Sequence, residues 1–178
     1  MILSSLYQRF GTLSQRALGD LSDLLLRLIL ARVFLVSGLA KWQGWFDFDE
    51  QQYDLFLYEF FCPDPVREGA LQLCDPQTLE YEDGSLTVQL IQGFAISAGI
   101  MEIVLPVLLI LGLFTRIGAI GLLVMTLVIQ LLVFPGWVHW WNPAAWWAVV
   151  ALAIWARGPG ALSLDYQFKL DRGRQVVP

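Results

Sequence analysis

A single carboxylate stands inside a long apolar stretch of this chain. Glu102 is the one charged residue between positions 87 and 114, and a segment of this length can cross a bilayer as a helix. An ionised side chain near the centre of such a segment costs roughly 3 kcal/mol on insertion scales. Glu102 is therefore expected to meet a cation from another helix, in a pair that either neutralises charge or transfers a proton.

Two basic residues of the preceding apolar segment, Arg32 and Lys41, are the candidate partners of Glu102. Helical side chains lean toward the N-terminus of their own helix. If the two segments cross the membrane in opposite directions, this lean brings Lys41 and Glu102 together. Arg32 is nearer to Glu102 in depth within the membrane, but its side chain leans away from Glu102. Either basic residue, or both, can therefore be the partner of Glu102. The candidate catalytic group consists of Glu102, Lys41 and Arg32.

The face of the segment around Glu102 predicts close contact with another helix. Ala95, Ala98 and Gly99 share this face at helical spacing, and small residues let helices approach each other. Pro106 cannot donate a hydrogen bond to the carbonyl of Glu102, which leaves an extra acceptor there. This face fits either a ligand niche or a packing seam that holds one neutralised ion pair.

Other polar side chains near the same end could bind a ligand or serve packing alone. Ser37 lies one turn from Lys41 and can hydrogen-bond a helix carbonyl or a ligand. His139, the single histidine, lies in an aromatic rim, where it could ligate a metal with loop carboxylates, hydrogen-bond a quinone carbonyl, or act as a polar tip at the membrane boundary. One histidine cannot form a zinc site, and no metal site is predicted.

The composition indicates which elements position these residues. Hydrophobic residues make up 57% of the chain and charged residues 15%, whereas soluble domains average about half and a quarter. This balance favours a polytopic membrane protein, with residues 1–178 as one domain and the lipid bilayer as its partner. No nucleotide-binding or haem-attachment motif is present, and nothing suggests a nucleic-acid partner.

Four apolar segments predict an all-α, membrane-spanning four-helix bundle, because a bilayer admits only helices or closed barrels. The predicted spans are about 24–42, 88–114, 117–134 and 143–156. Basic residues concentrate before the first span, between the second and third, and after the fourth. Both termini are therefore expected in the cytoplasm of a bacterial-type inner-membrane protein, with loop 43–86 outside.

The N-terminal segment has its own helical pattern. Its apolar residues recur at helical spacing and are Leu3, Leu6, Tyr7, Phe10, Leu13 and Ala17. This pattern predicts an amphipathic helix over residues 2–18 that lies on the inner leaflet or packs beneath the bundle. Asp20 or Ser22 is the expected cap of the first span.

The outer loop also carries a helical stripe and both cysteines. The stripe consists of Tyr53, Phe56, Leu57, Phe60 and Phe61. It predicts an outer helix that lies on the membrane boundary or caps the bundle. Cys62 and Cys74 are expected to form a structural disulfide if the loop is extracytoplasmic. The alternatives are a redox-active cysteine pair or a thiolate metal site. The twelve-residue spacing of the cysteines and the lack of a neighbouring histidine argue against both alternatives.

In the order and spacing of these features the chain resembles the DoxX family of small four-helix membrane proteins. Three stretches carry the resemblance: residues 27–41, Glu102 with residues 111–116, and residues 158–165. The polar positions that match those the family tends to share are Arg27, Ser37, Gly38, Lys41 and Glu102. Segments 55–60 and 125–130 also resemble members encoded with copper-binding peptide pathways. Ala31 replaces a common glycine, Arg32 is an extra charge, and the outer loop exceeds the usual family length.

The resemblance implies membrane-associated redox biology, and it adds Arg27 to Ser37 and His139 as expected cofactor-binding residues. The first hypothesis is a redox-associated subunit that holds a non-covalently bound quinone, or a small thiol or sulfur compound, near Lys41 and Glu102. It would assemble with copies of itself or with a redox partner subunit. The second is a non-enzymatic scaffold or export partner, with copper handling or stress response as its setting, that uses the acidic outer loop for docking. The third is a transporter. Whether the chain is an enzyme stays open.

Overall fold

The computed structural model describes residues 2–44, 46–82 and 84–171, with the side chains of residues 2–14 and of Arg16 outside that description. The chain is mostly helical, as predicted. Its long helices are α1 (Ile2–Leu39), α3 (Leu86–Leu111), α4 (Thr115–Val128) and α6 (Ala145–Arg157). A π-helical segment, Ile129–Val133, continues α4. Helix α5 (Trp137–His139) and a second π-helical segment, Trp140–Ala144, lead into α6.

Two helical stretches of the described residues are long and apolar enough to span a membrane, Leu86–Leu111 and Thr115–Val133. Helix α1 carries Asp23, Arg27 and Arg32 within its apolar part, and α6 has only 13 residues. The second and third predicted spans are therefore matched by apolar helices of sufficient length. The four-span arrangement stays a prediction.

The four long helices pack side by side, so that α1 contacts α3 and α6, while α4 also contacts α3 and α6. The core between them is apolar and combines large side chains with alanines. Its buried members are Leu30, Ala31, Phe34, Leu105, Leu109, Ala119, Leu122, Ala151 and Ile154. The alanines let the helices approach each other closely around the larger side chains.

Helix α1 differs from the prediction at its N-terminal half, because one continuous helix runs from Ile2 to Leu39. No helix begins at Asp20 or Ser22, so the predicted cap there is wrong. The Ser22 hydroxyl instead donates to the carbonyl of Gly19 from within the helix. Residues 2–18 are helical as predicted, but most of their side chains lie outside the description, and their position on the inner leaflet stays untested.

The outer loop folds back onto α3. It begins with a short hairpin of β1 (Trp42–Gly44) and β2 (Asp47–Phe48). Helix α2 (Glu50–Asp54) and a π-helical segment, Leu55–Phe60, follow where the aromatic stripe predicted a helix. Phe56, Leu57 and Phe61 are buried against Ile91 and Ala95 of α3. The stripe thus packs on the helix that carries Glu102.

Cys62 and Cys74 are joined in a disulfide, with their Cα atoms 5.5 Å apart. Both cysteines are buried. Beside the bridge, the backbone N–H of Leu73 donates to the carbonyl of Phe61 at 2.8 Å. The bridge therefore fixes the end of the aromatic stripe against the segment that follows it.

The segment after α6 folds back beneath the helices, and its short helix α7 spans Leu164–Gln167. Asp165 of α7 accepts the backbone N–H groups of Phe114 and Thr115, each at 2.8 Å. Its carboxylate thus caps the start of α4, where unsatisfied N–H groups and the helix dipole favour a negative charge. This contact fixes the turn between α3 and α4.

Candidate functional site

Lys41 and Glu102 form an ion pair between α3 and the residues directly after α1. The Lys41 Nζ lies 2.6 Å from Glu102 Oε2. The two residues are only 7% and 5% exposed. The partner of Glu102 is therefore the lysine that the direction of the helical side chains favours.

Gly38 makes this pairing geometrically feasible. A Cβ atom added at Gly38 would lie 2.8 Å from the carbonyl carbon, the carbonyl oxygen and the Cβ of Glu102. Real Cβ atoms essentially never approach other heavy atoms so closely. The backbones of α1 and α3 therefore touch at Gly38, which brings the side chain of Lys41 within reach of Glu102.

The ammonium group of Lys41 has three N–H donors, and three oxygen atoms surround it. Ser37 supplies two of them, with its hydroxyl at 3.0 Å and its carbonyl at 3.4 Å, and Glu102 supplies the third. Ser37 thus positions Lys41 rather than standing apart as a separate ligand-binding group. A ligand that takes a hydrogen bond from Lys41 must displace one of these oxygens.

The hairpin of the outer loop covers the pair. Around Gly99, one turn before Glu102, an added Cβ would lie 3.0 Å from the ring of Phe48, 3.4 Å from Trp42 Nε1 and 3.5 Å from the Lys41 side chain. Trp42 and Phe48 also contact each other edge to face. Within the described part of the chain, the buried indole Nε1 of Trp42 has no hydrogen-bond partner. The site therefore contains one buried donor beside the ion pair that an acceptor atom would satisfy.

Arg32 lies outside this arrangement. Its side chain is exposed on α1, whereas the neighbouring Ala31 is buried in the core. Among the described residues, the ion pair that Glu102 forms is with Lys41. The expectation that Arg32 shares Glu102 is therefore not met by the structure, because one residue step along a helix turns the side chain by about 100°.

Arg27 lies 14 residues before Lys41 in the sequence, beside the C-terminal end of α3 and away from the Lys41–Glu102 pair. It is 1% exposed, and its guanidinium donates to the carbonyls of Leu109 and Leu162. The carboxylates of Asp23 and Asp165 lie close enough to interact with it electrostatically. Arg27 therefore holds α3 and the C-terminal segment together, and the structure does not bring it to Ser37 or His139.

Sequence reasoning missed two acidic residues with defined roles at this end. Asp23 is buried and accepts a hydrogen bond of 2.5 Å from Arg157, which also contacts the hydroxyl of Ser22. Asp165 caps α4. The sequence does contain a feature that could have indicated both roles, because Asp23 and Asp165 are acidic residues among the basic residues that flank the predicted spans.

His139, the last residue of α5, lies at the opposite end of the bundle from Arg27. Its Nδ1 is 2.6 Å from Gln130 Oε1, and its ring stacks on Phe134. Burial lowers the pKa of His139 from its ordinary value of 6.5, so the neutral imidazole is favoured. In the outer loop, burial with a smaller contribution from Tyr58 raises the pKa of Tyr81 to about 12.

The Lys41–Glu102 pair determines the chemistry that this site can perform. Within the described ranges, no cluster of three or more His, Cys, Asp and Glu side chains could hold a metal ion. The Lys41–Glu102 pair can hold or move a proton, and it can exchange one of its partners for an anion or a hydrogen-bonding ligand. The residues at the Arg27 end are engaged in packing and helix capping.

Comparison with known proteins gives one match. The family model described as DoxX matches residues 22–140, about two thirds of the chain. The matched region includes Arg27, Ser37, Lys41 and Glu102. No curated protein and no solved structure matches the chain.

Proposed function

Because this chain belongs to the DoxX family, we propose that it is an integral inner-membrane protein and a redox-associated subunit. Its site for a quinone, or for a small thiol or sulfur compound, is the Lys41–Glu102 pair. The observation that carries the proposal is this 2.6 Å ion pair, which is buried between two helices beside a backbone contact. A buried ion pair adds little net stability compared with apolar packing, so stability alone is a weak reason for its presence.

In the proposed arrangement the four long helices cross the membrane, both termini are cytoplasmic and loop 43–86 is outside. Two of these helices have the length and apolarity that a span needs. In the sequence, basic residues concentrate before the first predicted span, between the second and third, and after the fourth, whereas eleven of the sixteen acids lie between Asp47 and Asp83. A second copy of the chain or a redox partner subunit would provide the remaining components of electron transfer.

The residues around the pair fit a ligand that carries an acceptor oxygen. The indole N–H of Trp42 is buried beside Lys41, and it would donate to a carbonyl or an oxyanion. A quinone has two such carbonyl oxygens and supplies the electron-accepting chemistry when it is bound. Binding requires the hairpin over Gly99 to shift, because Trp42 and Phe48 pack closely there.

The two charged residues have different tasks in this proposal. Glu102 holds and releases a proton, and Lys41 stabilises its carboxylate and attracts an anion. Ser37 keeps the ammonium group of Lys41 oriented toward Glu102 through its hydroxyl and its carbonyl. Trp42 and Phe48 limit the access of water from the outer side. Arg32 has no task at the pair, because its side chain points away from the helix contact.

The direct test is Glu102→Gln, which keeps the shape of the side chain and removes its ability to cycle a proton. We expect loss of the redox activity and of resistance to oxidative or thiol stress, measured at equal protein level in the membrane. Glu50→Gln is the matched control, because Glu50 is exposed in the outer loop. Full activity of the Glu102→Gln protein would rule out the proton relay.

A second candidate function is a membrane scaffold or export partner that docks through the outer loop. The observation that favours it is that this acidic loop is folded, disulfide-bonded and packed onto α3. Capture of a basic partner by the wild-type protein should then fail when exposed loop acids such as Asp54 and Glu59 are replaced by Asn and Gln. Undiminished capture by the neutralised loop would exclude this role.

A further inference from the structure

His139 has one ring nitrogen whose role is fixed by its neighbours. The buried side chain of Gln130 donates from Nε2 to the backbone carbonyl of Gly136 at 3.2 Å. A carbonyl oxygen only accepts hydrogen bonds. The amide of Gln130 must therefore present its Nε2 to Gly136 and its Oε1 to His139. That Oε1 lies 2.6 Å from Nδ1 of His139.

This arrangement selects one tautomer of the neutral imidazole. Oε1 of Gln130 is an acceptor, so Nδ1 of His139 must carry the proton to donate to it. Nε2 of the neutral ring then has a lone pair and no proton. Flipping the amide of Gln130 would place an oxygen against the carbonyl of Gly136, so the network has only one consistent assignment.

Nε2 of His139 remains available to a ligand. The ring is partly exposed, and among the described residues no hydrogen bond to Nε2 is formed. Its surroundings are aromatic. The imidazole stacks on Phe134 with the ring centroids 4.9 Å apart, and Trp147 meets it edge to face at 6.4 Å. The accessible nitrogen is thus an acceptor in an aromatic setting.

One charged group packs on Phe134, the ring against which His139 stacks. The guanidinium of Arg67, from the outer loop, lies 4.7 Å from the centre of Phe134. It also donates to the carbonyls of Val133 and Glu59. Burial of the ring disfavours the protonated form of His139, so the neutral form with its open lone pair is favoured.

We propose that His139 Nε2 is a binding position for aromatic hydroxyl compounds, such as phenols and hydroquinones, at the outer rim of the helices. A ligand hydroxyl donates to Nε2 while its ring packs against the surrounding aromatic side chains. A quinone carbonyl has no proton to donate, so the neutral imidazole cannot bond to it through Nε2. In this proposal His139 binds a ligand hydroxyl in place of the quinone carbonyl expected from the sequence.

The test uses the fact that His139 is the only histidine of the chain. With ¹⁵N-labelled histidine in the full protein in mild detergent, two ring nitrogen signals belong to this residue alone. Above pH 7 we expect a protonated Nδ1 and an unprotonated Nε2. Tetramethylhydroquinone should shift the Nε2 signal. It should also bind about tenfold more tightly than tetramethylquinone, which is the ratio of dissociation constants expected for one additional hydrogen bond.

Gln130→Leu is the variant that removes the tautomer lock while it preserves an apolar volume. We expect the proton to redistribute between the two nitrogens and the preference for the hydroquinone to fall. A wild-type signal with an unprotonated Nδ1 would overturn the tautomer assignment. Equal shifts from both probes, or no shift from either, would overturn the binding proposal. Neither outcome depends on Glu102, so failure here is distinct from failure of the proton relay.

Discussion

The contact between Gly38 and Glu102 makes a quantitative prediction for Gly38→Ala. The new methyl group would lie 2.8 Å from three atoms of Glu102, two of which belong to the backbone and cannot rotate away. Ordinary contact begins at 3.4 Å, so α1 and α3 must separate by about 0.6 Å. Overpacking of this kind costs about 1–3 kcal/mol. Replacing glycine by alanine within a helix contributes up to about 1 kcal/mol in the opposite direction.

Gly19→Ala is the matched control for this prediction. Gly19 lies in the same helix, and an added Cβ would meet nothing within 4 Å. Its substitution should stabilise the protein by the helix-propensity gain alone. The difference in unfolding free energy between the two alanine variants therefore reports mainly the overpacking at Gly38, and we expect Gly38→Ala to be lower by about 1–3 kcal/mol.

The measurement is the free energy of unfolding of each variant in mild detergent by denaturant titration. Separation of the two helices should also lengthen the contact between Lys41 and Glu102, so Gly38→Ala should lose redox activity where Gly19→Ala does not. Equal stability of the two variants would refute the inference that the helix backbones touch at this position.

Three further predictions concern other residues of the structure. Lys41→Met or Glu102→Gln alone should lower the unfolding free energy by roughly 3 kcal/mol, because each leaves the other residue buried without its partner. The double variant should recover most of this loss. Additive losses in the double-mutant cycle would contradict a buried ion pair. Folding lowers the pKa of His139, so the unfolded chain takes up the histidine proton before the folded chain does as the pH falls below 6.5. The free energy of unfolding should therefore decline on acidification through that range. The His139→Gln variant should show a flatter dependence of this free energy on pH. Asp165→Ala should destabilise the protein by about 2 kcal/mol in the same titration, because it leaves the first N–H groups of α4 without an acceptor, while Asp165→Asn should retain part of the cap.

The sequence was sufficient to predict the apolar helices and the outer aromatic stripe, because both depend on a local period that the chain displays directly. It also favoured Lys41 over Arg32 by side-chain direction, since that direction is a constant property of helices. The backbone contact at Gly38 could only be suspected, because a glycine in a helix does not identify its neighbour.

Contacts between distant parts of the chain were beyond prediction. Arg27 was grouped with the ligand-binding residues, yet it bonds Leu109 and Leu162, which are far from it in sequence. The capping of α4 by Asp165 likewise depends on how the C-terminal segment folds back. The continuity of α1 was missed for another reason. Asp20 and Ser22 are good caps by type, but here both contribute from within the helix, Asp20 by accepting the backbone N–H of Ala161.

Helix α1 is attached to α3 by two cations rather than one. Arg27, within the C-terminal half of α1, bonds the carbonyl of Leu109, and Lys41, 14 residues further along and just past the end of α1, bonds Glu102. Both cations therefore face α3, and they bond it at two separate points, Leu109 and Glu102. Neither sliding by a turn nor rotation of α1 can preserve both bonds. The two bonds thereby set the register of α1 on α3 independently of the hairpin that covers the Lys41–Glu102 pair.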